Sequence, residues 1–153
     1  MDKEKKLLVS AIKDGTVIDH IPAYSLFRVI KILELHKISN QITFGGNLTS
    51  SRLGKKAVIK ISDKFFEQDE LNKIGLITNE ANLNVIRDYK VVQKMKVEVP
   101  DKAIGLVKCI NPKCITNHEK ITTKFTVIDK ELITLKCDYC EKNTNHSYIK
   151  IIR

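Results

Sequence analysis

The chain has 153 residues, enough for one domain with a full core or for two small ones. Apolar residues make up 42% and charged residues 29%, which excludes wholesale disorder, and no apolar run approaches the ~20 residues needed to span a bilayer. The net charge of +9 is spread over both halves and suits nucleic acid, a nucleotide or an acidic protein as partner, without choosing among them.

The opening "MDKEKKLLVSAIKDG" holds only a very short apolar patch between charges, without the longer stretch and small-residue cleavage site of a secretory signal; the predicted location is the cytoplasm. "KLLVSAI" and "TVIDHI" read as strands joined by a tight hairpin at Asp14-Gly15, residues that tolerate positive φ. In "IPAYSLFRVIKILELHKI", Leu26, Val29, Ile30 and Leu33 recur at helical spacing, with Arg28, Lys31 and Glu34 opposite. That predicts an amphipathic helix with Pro22 at its start. "QITFGGNL" and "KAVIKIS" are predicted strands around the turn region "GGNLTSSRLGKK", and "FEQDELNKIGLI" is a second helix. Glu67, Asp69 and Glu70 suit its positive N-terminal end, and Gly75 weakens its last turn. "ANLNVIRDYKVVQKMKVEV" reads as two strands around Arg87-Asp88. The fold class is therefore α+β: an N-terminal ferredoxin-like sheet, antiparallel or mixed, with two helices on one face.

Cysteine usage divides the chain. All four cysteines follow the segment "VEVPDKAIG", and the domain boundary is placed there, giving domains 1–100 and 101–153. The second domain reads as small, all-β and zinc-ribbon-like, with strands in "TKFTVID", "ELITLKC" and "HSYIKII". A core of about 50 residues is marginal unless a metal or disulfide staples it.

Cys109, Cys114, Cys137 and Cys140 follow the pattern C-x4-C-x22-C-x2-C. Two close pairs about twenty residues apart can place four sulfurs at the corners of a tetrahedron, the geometry Zn²⁺ takes. With every corner a thiolate, no position stays open for water, so one structural Zn²⁺ is expected. Two disulfides or four free thiols are the competing readings; a reducing compartment and the paired spacing weigh against disulfides. His118 and His146 are spare ligand candidates, expected to lie outside the metal's immediate shell.

Asp19-His20 raises the question of acid-base chemistry. Adjacent strand residues point to opposite faces, so the two are predicted to diverge and not to act as the Asp–His half of a triad. No catalytic residue is assigned. The region "GGNLTSSRLGKK" lacks the order of a phosphate-binding P-loop, so any phosphate would be held by side chains.

"AIKDGTVIDHIPA", "GNLTSSRLGKKAVIKI", "NVIRDYKVVQK", "CINPKCITNHE" and "LKCDYCEK" occur in this order from Ala11 to Lys142. In these motifs the chain resembles the regulatory chain of aspartate carbamoyltransferase, a non-catalytic subunit of pyrimidine biosynthesis. The resemblance implies an N-terminal allosteric domain that binds CTP and ATP, with UTP assisting CTP in some members. It also implies a C-terminal zinc domain docking on the separate catalytic chain, regulatory homodimers, and no role for nucleic acid or membrane. The matched nucleotide site is Ala11, Ile12, Val17, Asp19, His20, Lys60, Asn84, Ile86, Tyr89, Val91 and Lys94. By that match Lys94 and His20 would meet the triphosphate, and Asp19 and Lys60 the ribose hydroxyls. Backbone groups of Ile12 and Tyr89 would read the base, and Val17, Ile86 and Val91 would form apolar walls. A zinc-ribbon protein binding nucleic acid is the alternative that composition leaves open. Only Phe125, Tyr139 and Tyr148 would serve it as stacking residues in the cysteine domain.

Overall fold

A computed structural model describes residues 11–152. Most of the predicted strand "KLLVSAI", and with it Ser10, lies outside the described residues, and Ala11 and Ile12 at its end are not in a strand. Five strands form the first sheet: β1 (Gly15–Pro22), β2 (Ile42–Ser50), β3 (Gly54–Ser62), β4 (Asn82–Arg87) and β5 (Lys90–Lys96). Their order is β2-β3-β1-β4-β5, every neighbouring pair antiparallel. The first four strands, with one helix after β1 and one after β3, make the predicted ferredoxin-like arrangement, and β5 adds an edge.

Among the described residues no strand precedes β1 at Asp14-Gly15. From Gly15 onward β3 pairs with one side of β1 and β4 with the other, so β1 has no free edge for a preceding strand. Asp14 is instead an anchor. Its carbonyl accepts from Asp63 N–H (3.0 Å) and its carboxylate from Asp88 N–H (3.0 Å). Gly15 is required by space: its φ is +145°, and a Cβ would lie 2.1 Å from the Ile61 carbonyl oxygen.

The single helix predicted over the Pro22 segment is broken into three pieces. A 3₁₀ turn (Ala23–Ser25) leads into helix α1 (Leu26–Ile32), and a second 3₁₀ turn covers Leu35–Lys37. Glu34, at φ 55°, takes the left-handed conformation that stops a helix. Of the predicted stripe, Leu26 and Val29 are buried while Ile30 and Leu33 are only partly so, and Ile32 and Leu35 complete the buried face across the break. Helix α2 (Gln68–Ile74) starts with a capping box, in which the Glu70 carboxylate accepts from Glu67 N–H. Both helices cover the face bearing Ile18, Ile59, Ile61 and Leu83. Val17, Asp19, Lys60 and Asn84, one residue out of phase, belong to the opposite face.

The glycines of "GGNL" do not turn the chain. Strand β2 runs on to Ser50, with a bulge between Gly45 and Leu48 where Asn47 adopts φ 55°. The reversal falls later in the predicted turn region, at residues 51–53 between β2 and β3.

Helix α2 ends at Gly75 because the inter-domain connector crosses there. A Cβ on Gly75 would lie 2.6 Å from the Glu98 carbonyl oxygen and 2.8 Å from Val99 Cα. Gly75→Ala is expected to destabilise the chain by about 1–3 kcal/mol through overpacking, read as a lower urea midpoint.

The second part contains β6 (Lys102–Ile104), β7 (Val107–Lys108), β8 (Lys124–Asp129), β9 (Thr134–Cys137), β10 (Asn143–Thr144) and β11 (Lys150–Ile151). They form a four-stranded sheet, β10-β9-β8-β6, and a separate pair, β11-β7. Strands of two or three residues leave no periodicity to detect, so β6, β7 and β10 have no counterpart in the sequence reading. Buried residues of both parts, among them Leu71, Ile77, Leu106, Val107, Ile149 and Ile151, belong to one continuous core. Among the described residues no helix is long and apolar enough to cross a membrane.

Candidate functional site

The four cysteines converge as their spacing predicts. Their sulfurs all lie within 4.8 Å of one another, and three of the four residues are buried. Cys109 Sγ is 3.6 Å from Cys140 Sγ, and Cys114 Sγ is 3.8 Å from Cys137 Sγ. A disulfide needs about 2.05 Å. Sulfurs at tetrahedral corners 2.3 Å from a Zn²⁺ stand about 3.8 Å apart. The geometry therefore fits one metal ion and no disulfide.

Both ligand pairs sit on tight turns. Cys114 N–H donates to the Asn111 carbonyl (3.0 Å), and the Asn117 amide bridges the carbonyls of Cys109 (3.0 Å) and Asn111 (2.8 Å). In the second turn Cys137 N–H donates to the Lys142 carbonyl (3.0 Å), and Glu141 carries a positive φ of 63°. His118 Nε2 is engaged by the Pro112 carbonyl (2.8 Å), and His146 Nε2 by that of Ile77, so neither imidazole joins the sulfurs. Without a cation, burial pushes the Cys109 thiol up to about 12 and raises Cys137 as well. At Cys140 burial acts the same way, but N–H donation from Lys142 and the Asn111 side chain outweighs it and holds the thiol at about 7. A central dication supplies what the buried thiolates lack, which couples metal uptake to folding.

The second site is a row of side chains across the sheet. Val17 on β1 is in register with Lys60 on β3 and with Asn84 on β4, and Asn84 is in register with Lys94 on β5. Lys60, Val17, Asn84 and Lys94 thus line four adjacent strands, about 14 Å across at ~4.8 Å per strand. Asp19 stands two residues from Val17 on the same face. Ile86 pairs with Val91 at the same end of the sheet as the β4–β5 turn. That turn is made by Asp88 (φ 50°) and Tyr89 (φ 65°), one residue later than the predicted Arg87-Asp88. Tyr89 N–H donates to the Lys13 carbonyl (2.9 Å), which brings the Ala11–Lys13 segment to the turn. All eleven predicted nucleotide residues therefore lie on or beside the helix-free face.

Asp19 and His20 do not diverge. A bulge interrupts the β1–β3 register between Ile18 and Ile21, and His20 takes φ 58°. This breaks the strand alternation and folds the two residues together. His20 N–H donates to Asp19 Oδ1 (2.6 Å), and His20 Nδ1 lies 3.7 Å from Asp19 Oδ2. The second contact is too long for a hydrogen bond, and Asn82 Nδ2, at 3.1 Å, occupies Nδ1 instead. An amide donor at Nδ1 leaves the ring proton on Nε2, where it can donate to an anion.

Lys56 is the residue the sequence reading missed. Its Nζ lies 2.9 Å from Asp19 Oδ1, with both side chains mostly shielded. The signal was available: in "GKKAVIKI", Lys56 and Lys60 are four residues apart on one strand, an even spacing that places them on one face. Burial lowers the Lys60 ammonium below its usual value, and the Asp19 carboxylate partly offsets this. The face is thus a basic, partly apolar surface with one carboxylate at its centre.

The first part thus presents a basic, helix-free sheet face suited to an anionic ligand, and the second a four-cysteine cluster whose geometry fits a metal ion. Comparison with known proteins carries this to a family. The model for the aspartate carbamoyltransferase regulatory chain, allosteric domain, matches residues 7–98, and that for its metal binding domain matches residues 101–150. The aspartate carbamoyltransferase regulatory chain of Parabacteroides distasonis is 53% identical over 150 residues, covering 98% of this chain and 97% of the relative. That of Pyrococcus abyssi is 49% identical over 146 residues, covering 94% and 96%. The chain belongs to the aspartate carbamoyltransferase regulatory chain family and is a non-catalytic subunit with an allosteric and a metal-binding domain.

Proposed function

We propose that residues 1–100 bind CTP and ATP on the helix-free sheet face, with UTP alongside CTP. Residues 101–153, built around Zn²⁺, then carry the effect to the catalytic chain of aspartate carbamoyltransferase in the cytoplasm, and two regulatory chains pair as a homodimer. The observation that carries the nucleotide assignment is the in-register row Lys60–Val17–Asn84–Lys94.

The chemistry along that row sorts itself. Lys94, with the Nε2–H of His20, provides charge-assisted donors for the triphosphate. Asp19 accepts from a ribose hydroxyl and Lys60 donates to one, while Lys56 holds the Asp19 carboxylate in place. Val17, Ile86 and Val91 give the apolar surface against which a base and sugar lie. Tyr89 N–H is already committed to Lys13, so the backbone reads the base through carbonyl oxygens at Tyr89 and Ile12. Carbonyl acceptors suit the exocyclic amino group that cytosine and adenine share, which accounts for one site accepting both.

Isothermal titration of the zinc-loaded chain tests this reading. Saturable binding of CTP and ATP at a shared site, each displacing the other, is the expected result. Steeply salt-dependent binding of a single-stranded oligonucleotide, with no binding of either mononucleotide, would favour the nucleic-acid reading instead.

A further inference from the structure

Beyond the covalent connector, polar ties join the sheet domain to the metal domain. Arg28, half-buried on the side of α1 facing the metal domain, sends one guanidinium nitrogen, Nη2, to the carbonyls of Ile149 (3.0 Å) and His146 (3.2 Å). These carbonyls bracket the 3₁₀ turn His146–Tyr148 that precedes β11. The His146 ring reaches back to the Ile77 carbonyl beyond α2. Asn79 Nδ2 reaches the carbonyls of Glu131 (3.2 Å) and Lys130 (3.4 Å) in the β8–β9 turn.

The Arg28 tie stands out because of what lies at each end. Helix α1 begins six residues after His20, through Pro22 and one 3₁₀ turn, so the bulge at Asp19-His20 feeds directly into it. On the other side, the turn held by Arg28 runs into β11, which pairs with β7 (Lys150 with Lys108, Ile151 with Val107). β7 leads into the metal ligand Cys109. A contiguous path thus runs from the effector face to the metal turn without using the connector at residues 97–101. Burial lowers the Arg28 guanidinium from its ordinary value, so the group is partly desolvated and relies on these carbonyls.

We propose that Arg28 is a positioning residue for the allosteric response, passing displacement of the Asp19-His20 bulge through α1 to the His146–Ile149 turn and so to the metal domain. The inference rests on the effector reading above. Both bonds come from the two in-plane hydrogens of one guanidinium nitrogen, and the shorter lysine side chain with its non-planar ammonium reproduces them only in part. Coupling requires two arrangements of this path that bound nucleotide biases.

The test uses the complex reconstituted with the catalytic chain, comparing wild type, Arg28→Gln and Arg28→Lys. Zinc content and CTP affinity of Arg28→Gln are expected to stay within about twofold of wild type. The shift in half-saturating aspartate produced by CTP or ATP is expected to fall to less than about a third of the wild-type shift, with Arg28→Lys intermediate. Hydrogen exchange of the wild-type complex supplies a readout that depends on no variant: CTP should change the protection of the Tyr148 and Ile149 amides. A full effector response in Arg28→Gln, or an equal loss of CTP affinity or zinc, overturns the proposal, and so does unchanged exchange at those amides in wild type. A wild-type complex that ignores both nucleotides overturns the effector reading itself, and the role of Arg28 with it.

Discussion

Cys137→Ser is expected to release the metal, unfold residues 101–153 and abolish assembly with the catalytic chain, while CTP affinity of the remaining domain falls by less than about threefold. The size of the effect follows from how little core the module has of its own. It offers about 50 residues, strands of two to six residues, and a core centred on Phe125, Ile133 and Leu135. Zn²⁺ bound to four thiolates contributes on the order of 10–16 kcal/mol in small zinc-finger peptides, more than a typical domain's whole stability. Cys137 is fully buried and ends β9, so its loss removes a ligand and a strand terminus together. Zinc content by atomic absorption, with hydrogen exchange across both domains, checks this. Native protection in residues 101–153 of a metal-free Cys137→Ser chain would show that packing alone suffices.

Lys94→Ala is expected to weaken CTP and ATP alike by about 10–100-fold. A charge-assisted hydrogen bond to an ionised group is worth about 1.5–3 kcal/mol, and a tenfold change in affinity corresponds to about 1.4 kcal/mol. Both nucleotides carry the same triphosphate, so the loss should not change their ratio. Lys94 is exposed on edge strand β5, so the fold should tolerate the change, and thermal unfolding serves as the control. Titration at two salt concentrations should also show a weaker salt dependence in the variant. Unchanged affinity would remove Lys94 from the site and place the triphosphate elsewhere on the face.

The sequence was most legible where one physical rule acts alone. Tetrahedral coordination fixes the spacing of thiolates, so Cys109, Cys114, Cys137 and Cys140 could be assigned before any coordinates. The Leu26–Val29 part of the α1 stripe and the acidic start of α2 were legible for the same reason. It was least legible where one residue type serves several backbone conformations. Asp14-Gly15 tolerates positive φ and was read as a hairpin turn, but it is an anchor before a central strand. Gly45-Gly46-Asn47 lies inside the predicted strand, where the sequence did not mark the bulge. His20 shows the reverse error. Nothing in "TVIDHI" marks a left-handed histidine, so alternation was assumed where a bulge folds Asp19 and His20 together. Strand order, a long-range property, is what aligned Lys60, Val17, Asn84 and Lys94. Local pattern could place each on a strand but could not put them in one row.

The effector titration of the reconstituted complex bears most directly on the central claim, that nucleotide bound to the sheet face acts on a site carried by another chain. With the zinc-loaded regulatory chain assembled on its catalytic partner, CTP and ATP are each predicted to shift the aspartate concentration giving half-maximal activity. Typical allosteric coupling sets the size of such shifts at about 5–150-fold. An aspartate saturation curve moved by neither nucleotide, in a complex shown to be assembled and metal-loaded, would contradict it.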